Sequence, residues 1–209
     1  MLPYCGVVYI PSHFAEDRND VVLELVRRRG FGHLVCGGDG GLTSTPVPFL
    51  IDDDLSSVRA HVARPNPIWQ LAPCRALLIV AVADVYVSPT WYPSKQEHGK
   101  VVPTWNYEVV HLHGHLITHD DPAWVRQQIN DLTDQNEAVM PEPWEVSDAP
   151  AKFIEVQARA IVGIELLVDR VESKRKLSQN RSDSDRAGVI DGLRINEPTK
   201  NTIAVAMQR

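Results

Sequence analysis

The order of elements predicts a mainly β protein, a small antiparallel barrel with peripheral α-helices. Two observations carry that prediction. Strand-length apolar runs follow one another with only short helical segments between and after them, which is not the strand–helix alternation of a doubly wound sheet. The stretch 31–51 sets the glycine-rich GGDGG between two strand-like runs, FGHLVC and LTSTPVPFLI, as a hairpin requires.

Each element has its own signal. EDRNDVVLELVRRR (16–29) reads as a short helix with Asn19 or Asp20 as cap, Val22, Leu25 and Val26 as its apolar stripe, and Gly30 as its stop. After the hairpin, Arg59 to Ala63 reads as a strand. NPIWQLA follows as a short helix capped by Asn66, with Pro67 in its first turn. ALLIVAVADVYV (76–87) is a continuous apolar, β-branched run and predicts a buried strand. From Val109 to Thr118 the residues alternate: Val110, Leu112, Gly114 and Leu116 fall on one side, His111, His113 and His115 on the other.

Asp121 caps and Pro122 opens a helix that runs to Glu137, with Val125, Ile129 and Leu132 inward. Ser147 or Asp148 opens another, through about Arg159. AIVGIELLVDRVESKRKL (160–177) reads as a strand pair or one long bent strand, and SDSDRAGVIDGL (182–193) as a short helix. Asn196 to Arg209 reads as a frayed tail. The expectation is one domain over 1–195 followed by a tail over 196–209.

Composition narrows the function classes. The 209 residues are 44% apolar, enough for a real core, and carry a net charge of −6, so no global basic field draws nucleic acid. No run of about 18 apolar residues is present to span a membrane. The start MLPYC lacks the basic and apolar regions of a signal peptide, and Cys5, Cys36 and Cys74 are odd in number and widely spaced. The expectation is a cytoplasmic protein with reduced thiols.

Most short motifs read as structure. GGDGG lacks the following Lys-Ser/Thr of a phosphate loop and is flanked by strands, so it reads as a turn. The row of His111, His113 and His115 is able to hold a metal or haem. With no carboxylate in the same strand to orient it, a wet outer barrel face is favoured, and no metal is assigned. No G-x-S-x-G or cysteine motif nominates a nucleophile. The acidic runs at 52–54 and 119–121 read as a turn and a helix cap.

One stretch resists that treatment. SPTWYPSKQEHGKVVPTWNY (88–107) crowds Trp91, Tyr92, Trp105 and Tyr107 among Lys95, His98 and Lys100 in a chain that is only 7% aromatic. Together with HVARPNP (61–67) and KLSQNRSDSDRAGVI (176–190) it offers Arg64, Lys95, Lys100 and Lys176 to balance a phosphate, and Ser88, Thr90, Asn106 and Gln179 as neutral donors. Its rings suit a flat ligand. The competing reading has the rings plugging a barrel end or an interface while the lysines reach outward, and physics alone leaves the two even.

These segments, with YIPSHF (9–14) and AIVGIE (160–165), resemble the PaiB-like family of FMN-binding negative transcriptional regulators, in collinear order from about Tyr9 to Leu193. The resemblance implies an antiparallel FMN-binding split β-barrel related to pyridoxamine-phosphate-oxidase-like flavoproteins. It also implies a homodimer with flavin at the subunit interface. The cofactor-binding residues it selects are Arg64, Ser88, Trp91, Lys95, Lys100, Trp105, Asn106, Lys176 and Gln179. TSTPVP departs from the Ser-His-hydrophobic-Pro usual at that place. No helix-turn-helix is visible, so a DNA partner is not legible. The alternatives are a flavin-dependent oxidoreductase, whose redox chemistry the cofactor would carry, and a haem- or metal-binding protein using the histidine row.

Overall fold

A computed structural model describes residues 8–38, 40–197 and 201–208. In chain order it contains α1 (Asn19–Arg29), β1 (Phe31–Gly38), β2 (Gly41–Ile51), β3 (Ser57–Ala63), β4 (Cys74–Val87), α2 (Ser94–His98), β5 (Thr104–His119), α3 (Pro122–Glu137), α4 (Ala151–Arg159), β6 (Ile161–Lys176), α5 (Asp183–Asn196) and α6 (Asn201–Ala206), with short 3₁₀ turns between some of them. The strands hydrogen-bond in the order β1-β2-β3-β6-β5-β4 and close into an antiparallel barrel, as the sequence predicts. No helix among the described residues is long and apolar enough to cross a membrane.

The chain forms two compact units. One, Leu23–Val80 with His111–Val171, holds the barrel. The other comprises Met1–Val22, Ala81–Val110 and Glu172–Arg209. β4, β5 and β6 are 14, 16 and 16 residues long and contribute residues to both units.

In the barrel unit, β1 and β2 form the expected hairpin, with Gly38 opposite Gly41; Asp39 of the GGDGG turn lies outside the described residues. Pairing then runs Leu50↔Arg59 and Ala60↔Ile164, and the barrel closes through Cys36↔Ala76. Leu34, Val47, Val58, Leu78, Leu116 and Ile164 fill the interior so completely that a cavity of only about 10 Å³ remains. At roughly 25 cal/mol per Å² of apolar surface, such side chains dominate the stability of this unit. β4 is buried on one face only, not on both as its apolar run predicts, because the outer face of an antiparallel barrel meets water or a covering helix.

α1 stops where Gly30 turns to φ +57° and donates its N–H to Val26 O at 2.9 Å. Asn66 caps its turn by accepting from Ile68 N at 3.1 Å, and Asp121 caps α3 by accepting from Trp124 N at 3.0 Å. The inner face of α3 holds Val125, Gln128 and Leu132, with Ile129 only half-buried. Gln128 is tolerated there because its Oε1 lies 2.7 Å from His61 Nδ1. The helix expected from Ser147 or Asp148 is split into a 3₁₀ turn and α4. Pro150 is the reason: it holds Ala149 in an extended conformation (ψ 149°). Burial pushes the Cys36 thiol up to about 12, with Cys74 adding to the shift, so Cys36 stays protonated.

The second unit has its own core of Val85, Val87, Tyr92, Leu177, Val189 and Leu193, joined by Ile203 and Met207. Those last two belong to the stretch expected to fray. It forms α6 instead, because Ile203, Ala204 and Met207 recur at helical spacing and bury against the cluster.

Candidate functional site

The block 88–107 belongs to the second unit. Its first part is a scaffold. Ser88 caps a 3₁₀ turn over Pro89–Trp91 through its Oγ, 3.3 Å from Thr90 N and 2.7 Å from Thr90 Oγ1. The Trp91 ring lies on α5 where glycine leaves room: a Cβ at Gly192 would sit 2.3 Å from Trp91 Cγ, and one at Gly188 would sit 2.2 Å from Trp91 O. Trp91 is therefore an anchor. Asp185, buried in the first turn of α5, accepts from Ser94 N at 3.1 Å and Ser94 Oγ at 2.8 Å. Lys95 and Lys100 are exposed, on α2 and just after it.

From Thr104 the chain enters β5 and alternation sorts its residues into two faces. Trp105 and Tyr107 point one way; Asn106 and Glu108, fully buried, point the other. β6 repeats the pattern, with Lys174 and Lys176 opposite Ser173, Arg175 and Leu177. On the outward side, Lys176 Nζ donates to Thr104 Oγ1 at 2.6 Å and to Trp105 O. Trp105 is 50% exposed and meets Tyr86 edge to face at 6.1 Å. Lys174 Nζ lies over the Tyr9 and Tyr107 rings at 5.6 and 5.5 Å, and the Arg181 guanidinium is 4.8 Å over Tyr92.

This face is electropositive and short of counter-charge. Among the described residues no carboxylate lies within ion-pair distance of Lys174, Lys176 or Arg181. Burial holds the Lys176 ammonium below its ordinary range, and the charges of Lys174 and Arg181 lower it further. A partly desolvated ammonium pushed on by two like charges is relieved by an anion.

The inward side holds the strands in place. Arg175 Nε donates to the buried Glu108 at 2.8 Å and its Nη1 to Glu16 at 3.2 Å, while Glu16 also takes Arg18 at 2.7 Å. The Arg18 guanidinium, then Arg175, bring the Glu16 carboxyl down to about 2. Asn106 Nδ2 donates to Ser178 Oγ at 3.0 Å, holding a residue whose φ of +62° is unusual for a side chain with a Cβ. Gln179 braces the same bend, accepting from Leu177 N at 2.7 Å and donating to Arg175 O. Asn106 and Gln179 thus shape the loop after Lys176.

Of the nine residues selected from sequence, the structure joins Trp105 and Lys176 in direct contact and sets Asn106 and Gln179 behind them. Arg64 belongs to the barrel unit. It donates from Nε to Arg159 O at 2.9 Å and from Nη2 to Ile161 O at 3.0 Å and Asp120 Oδ1 at 2.6 Å, closing off the end of α4. Sequence reasoning missed Lys174, Thr104 and Tyr86. The signal for Lys174 was present in the two-residue spacing from Lys176 on a strand. His111 and His113 sit half-buried on the outer side of β5 with rings 6.3 Å apart, and His115 is exposed.

Comparison with known proteins identifies the family and the fold. Residues 8–170 match the family described as "Putative FMN-binding domain", so the chain belongs to that family. It is 33% identical to an uncharacterized protein of Aspergillus fumigatus, over 89% of this chain and 90% of that protein. It is 28% identical to the protease synthase and sporulation protein PAI 2 of Bacillus subtilis, over 95% of each, which bears out the PaiB-like resemblance. Among solved structures, the flavocytochrome Anf3 of Azotobacter vinelandii superposes with a TM-score of 0.60 at 15% identity, covering 86% of this chain and 78% of that one. The fold is the split barrel of flavin-binding proteins. The outward face fits the family's cofactor: cations and the Thr104 hydroxyl suit a phosphate, and the exposed Trp105–Tyr86 pair suits a flat ring.

Proposed function

We propose that this protein is a cytoplasmic homodimer that binds FMN on the Tyr86–Trp105–Lys176 face and acts as a regulator of the PaiB type. The observation that carries the site is Lys176, a half-buried ammonium held by neutral oxygens beside two further cations. Lys176 and Thr104 hold the flavin phosphate, with Lys174 and Arg181 adding field. Trp105 and Tyr86 flank the ring. Asn106, Gln179, Ser88 and Trp91 keep strand and loop in register, and the exposed Lys95 and Lys100 supply long-range attraction. Arg64 acts within the barrel unit. The barrel interior is filled, which supports an external site. The family resemblance supports the dimer and the regulatory role.

The test is FMN affinity by fluorescence quenching for wild type and Lys176→Ala. Loss of one charge-assisted hydrogen bond, about 1.5–3 kcal/mol, lowers affinity roughly 10- to 150-fold. Equal affinities with an unchanged melt would remove Lys176 from the site. Sedimentation at micromolar concentration should give twice the 23.4 kDa chain mass; a monomer would count against the dimer.

A further inference from the structure

The inward side of the same strand opens onto a separate cavity of about 220 Å³, lined by Glu16, Arg18, Arg175, Arg186, Leu177, Met207 and three neighbouring residues. Lys174 and Lys176 point away from it, because adjacent residues of a strand face opposite ways. The charges there do not cancel. Arg175 is matched by Glu108, and Arg18 by Glu16. Arg186 donates from Nη2 to Met207 O at 2.9 Å, and its Nε is buried with no hydrogen-bond acceptor among the described residues. Among the described residues the carboxylate within ion-pair distance of Arg186 is Asp183, 4.0 Å away and fully exposed, where solvent screens the pair. Arg186 thus carries a weakly compensated charge beside an N–H that lacks a partner among the described residues.

We infer that this cavity binds a small monocarboxylate, held by Arg186 with Arg18 and with its hydrocarbon end against Leu177 and Met207. A planar carboxylate matches the guanidinium fork. Its single charge balances the excess, whereas a phosphate dianion overshoots it. The volume admits only a small molecule, well below the usual range for drug-sized ligands. The site does not depend on the flavin reading.

Butyrate and, separately, inorganic phosphate are titrated into the purified full chain by calorimetry at fixed ionic strength set with chloride. FMN affinity is measured on the same samples. Butyrate should bind saturably at one site per chain. Arg186→Gln and Arg18→Gln should each weaken it about tenfold or more while FMN affinity holds. Lys176→Ala should do the reverse, so failure of one site is told from failure of the other. No saturable butyrate binding would overturn the proposal. So would phosphate binding in place of butyrate, or butyrate affinity unchanged in both arginine variants. Melting curves identify a variant that fails to fold, and the second variant then decides.

Discussion

The two units treat charge differently. In the barrel unit four arginines have carboxylate partners: Arg59 reaches Asp131 at 2.8 Å, Arg64 reaches Asp120 at 2.6 Å, and Arg27 and Arg75 pair with Asp53 and Asp169. A carboxylate facing α3 is also partnered. Glu165 accepts from Ser57 at 2.6 Å and lies 2.7 Å from His119, whose ring stacks on Trp124 at 4.1 Å. In the second unit, Arg175 bridges Glu16 and Glu108 on one face of the strands, where Arg186 alone keeps an unpartnered N–H among the described residues of that cavity. The opposite face leaves Lys174, Lys176 and Arg181 with neutral oxygens and aromatic rings. A scaffold neutralises its own charges. A surface that carries them unpaired is prepared for a charged ligand.

That contrast can be broken from either side. The largest effect belongs to the barrel: Gly114→Ala would place a Cβ 2.1 Å from Leu167 O, backbone that cannot step aside. A cost of about 3 kcal/mol or more should lower the melting midpoint by roughly 6–12 °C. A midpoint unchanged from wild type would mean that the strands there separate freely.

Next is the Glu16–Arg175–Glu108 network of the second unit. Glu16 titrates near 2 in the folded chain against an ordinary value of 4.5. Its depressed value contributes stability that is complete above about pH 4.5 and is lost as pH falls toward 2, about 3 kcal/mol in all. Urea unfolding should show Glu16→Gln well below wild type at pH 7, with the gap closing near pH 2.5. A gap independent of pH would exclude the ionised carboxylate as its source.

Arg64→Ala separates scaffold from site. It should lower the melting midpoint only slightly, since solvent screens its exposed pair with Asp120, and leave FMN affinity unchanged. A tenfold loss of FMN affinity would return Arg64 to the flavin site. The smallest effect is Asp121→Ala, which removes the α3 cap for about 1 kcal/mol in a thermal melt and should not touch ligand binding.

Local signals were legible where one residue decides the outcome. Gly30, Asn66 and Asp121 mark helix ends because backbone freedom or a side-chain acceptor acts within three residues of them. The face of β5 that buries Val110, Leu112 and Leu116 was legible because strand alternation is fixed by covalent geometry. The rings and cations of 88–107 could be counted, and the family motif assigned them a flavin. What each one does was not legible. Trp91 and Trp105 lie in the same block, yet one is pinned against Gly192 of α5 and the other stays half exposed beside Tyr86.

The sequence by itself determined the barrel class and the helix ends at Gly30, Asn66 and Asp121, since periodicity and capping are properties of neighbouring residues, and its family resemblance implied the flavin. Only the tertiary structure decided the burial of α6, the helix-end role of Arg64, and that Lys174, Lys176 and Arg181 find no carboxylate among the described residues. Those outcomes depend on contacts such as Lys176 with Thr104, 72 residues apart, or Asn106 with Met207, 101 residues apart. A charge is compensated by whatever folding brings within a few ångströms of it, and spacing along the chain carries no record of that distance.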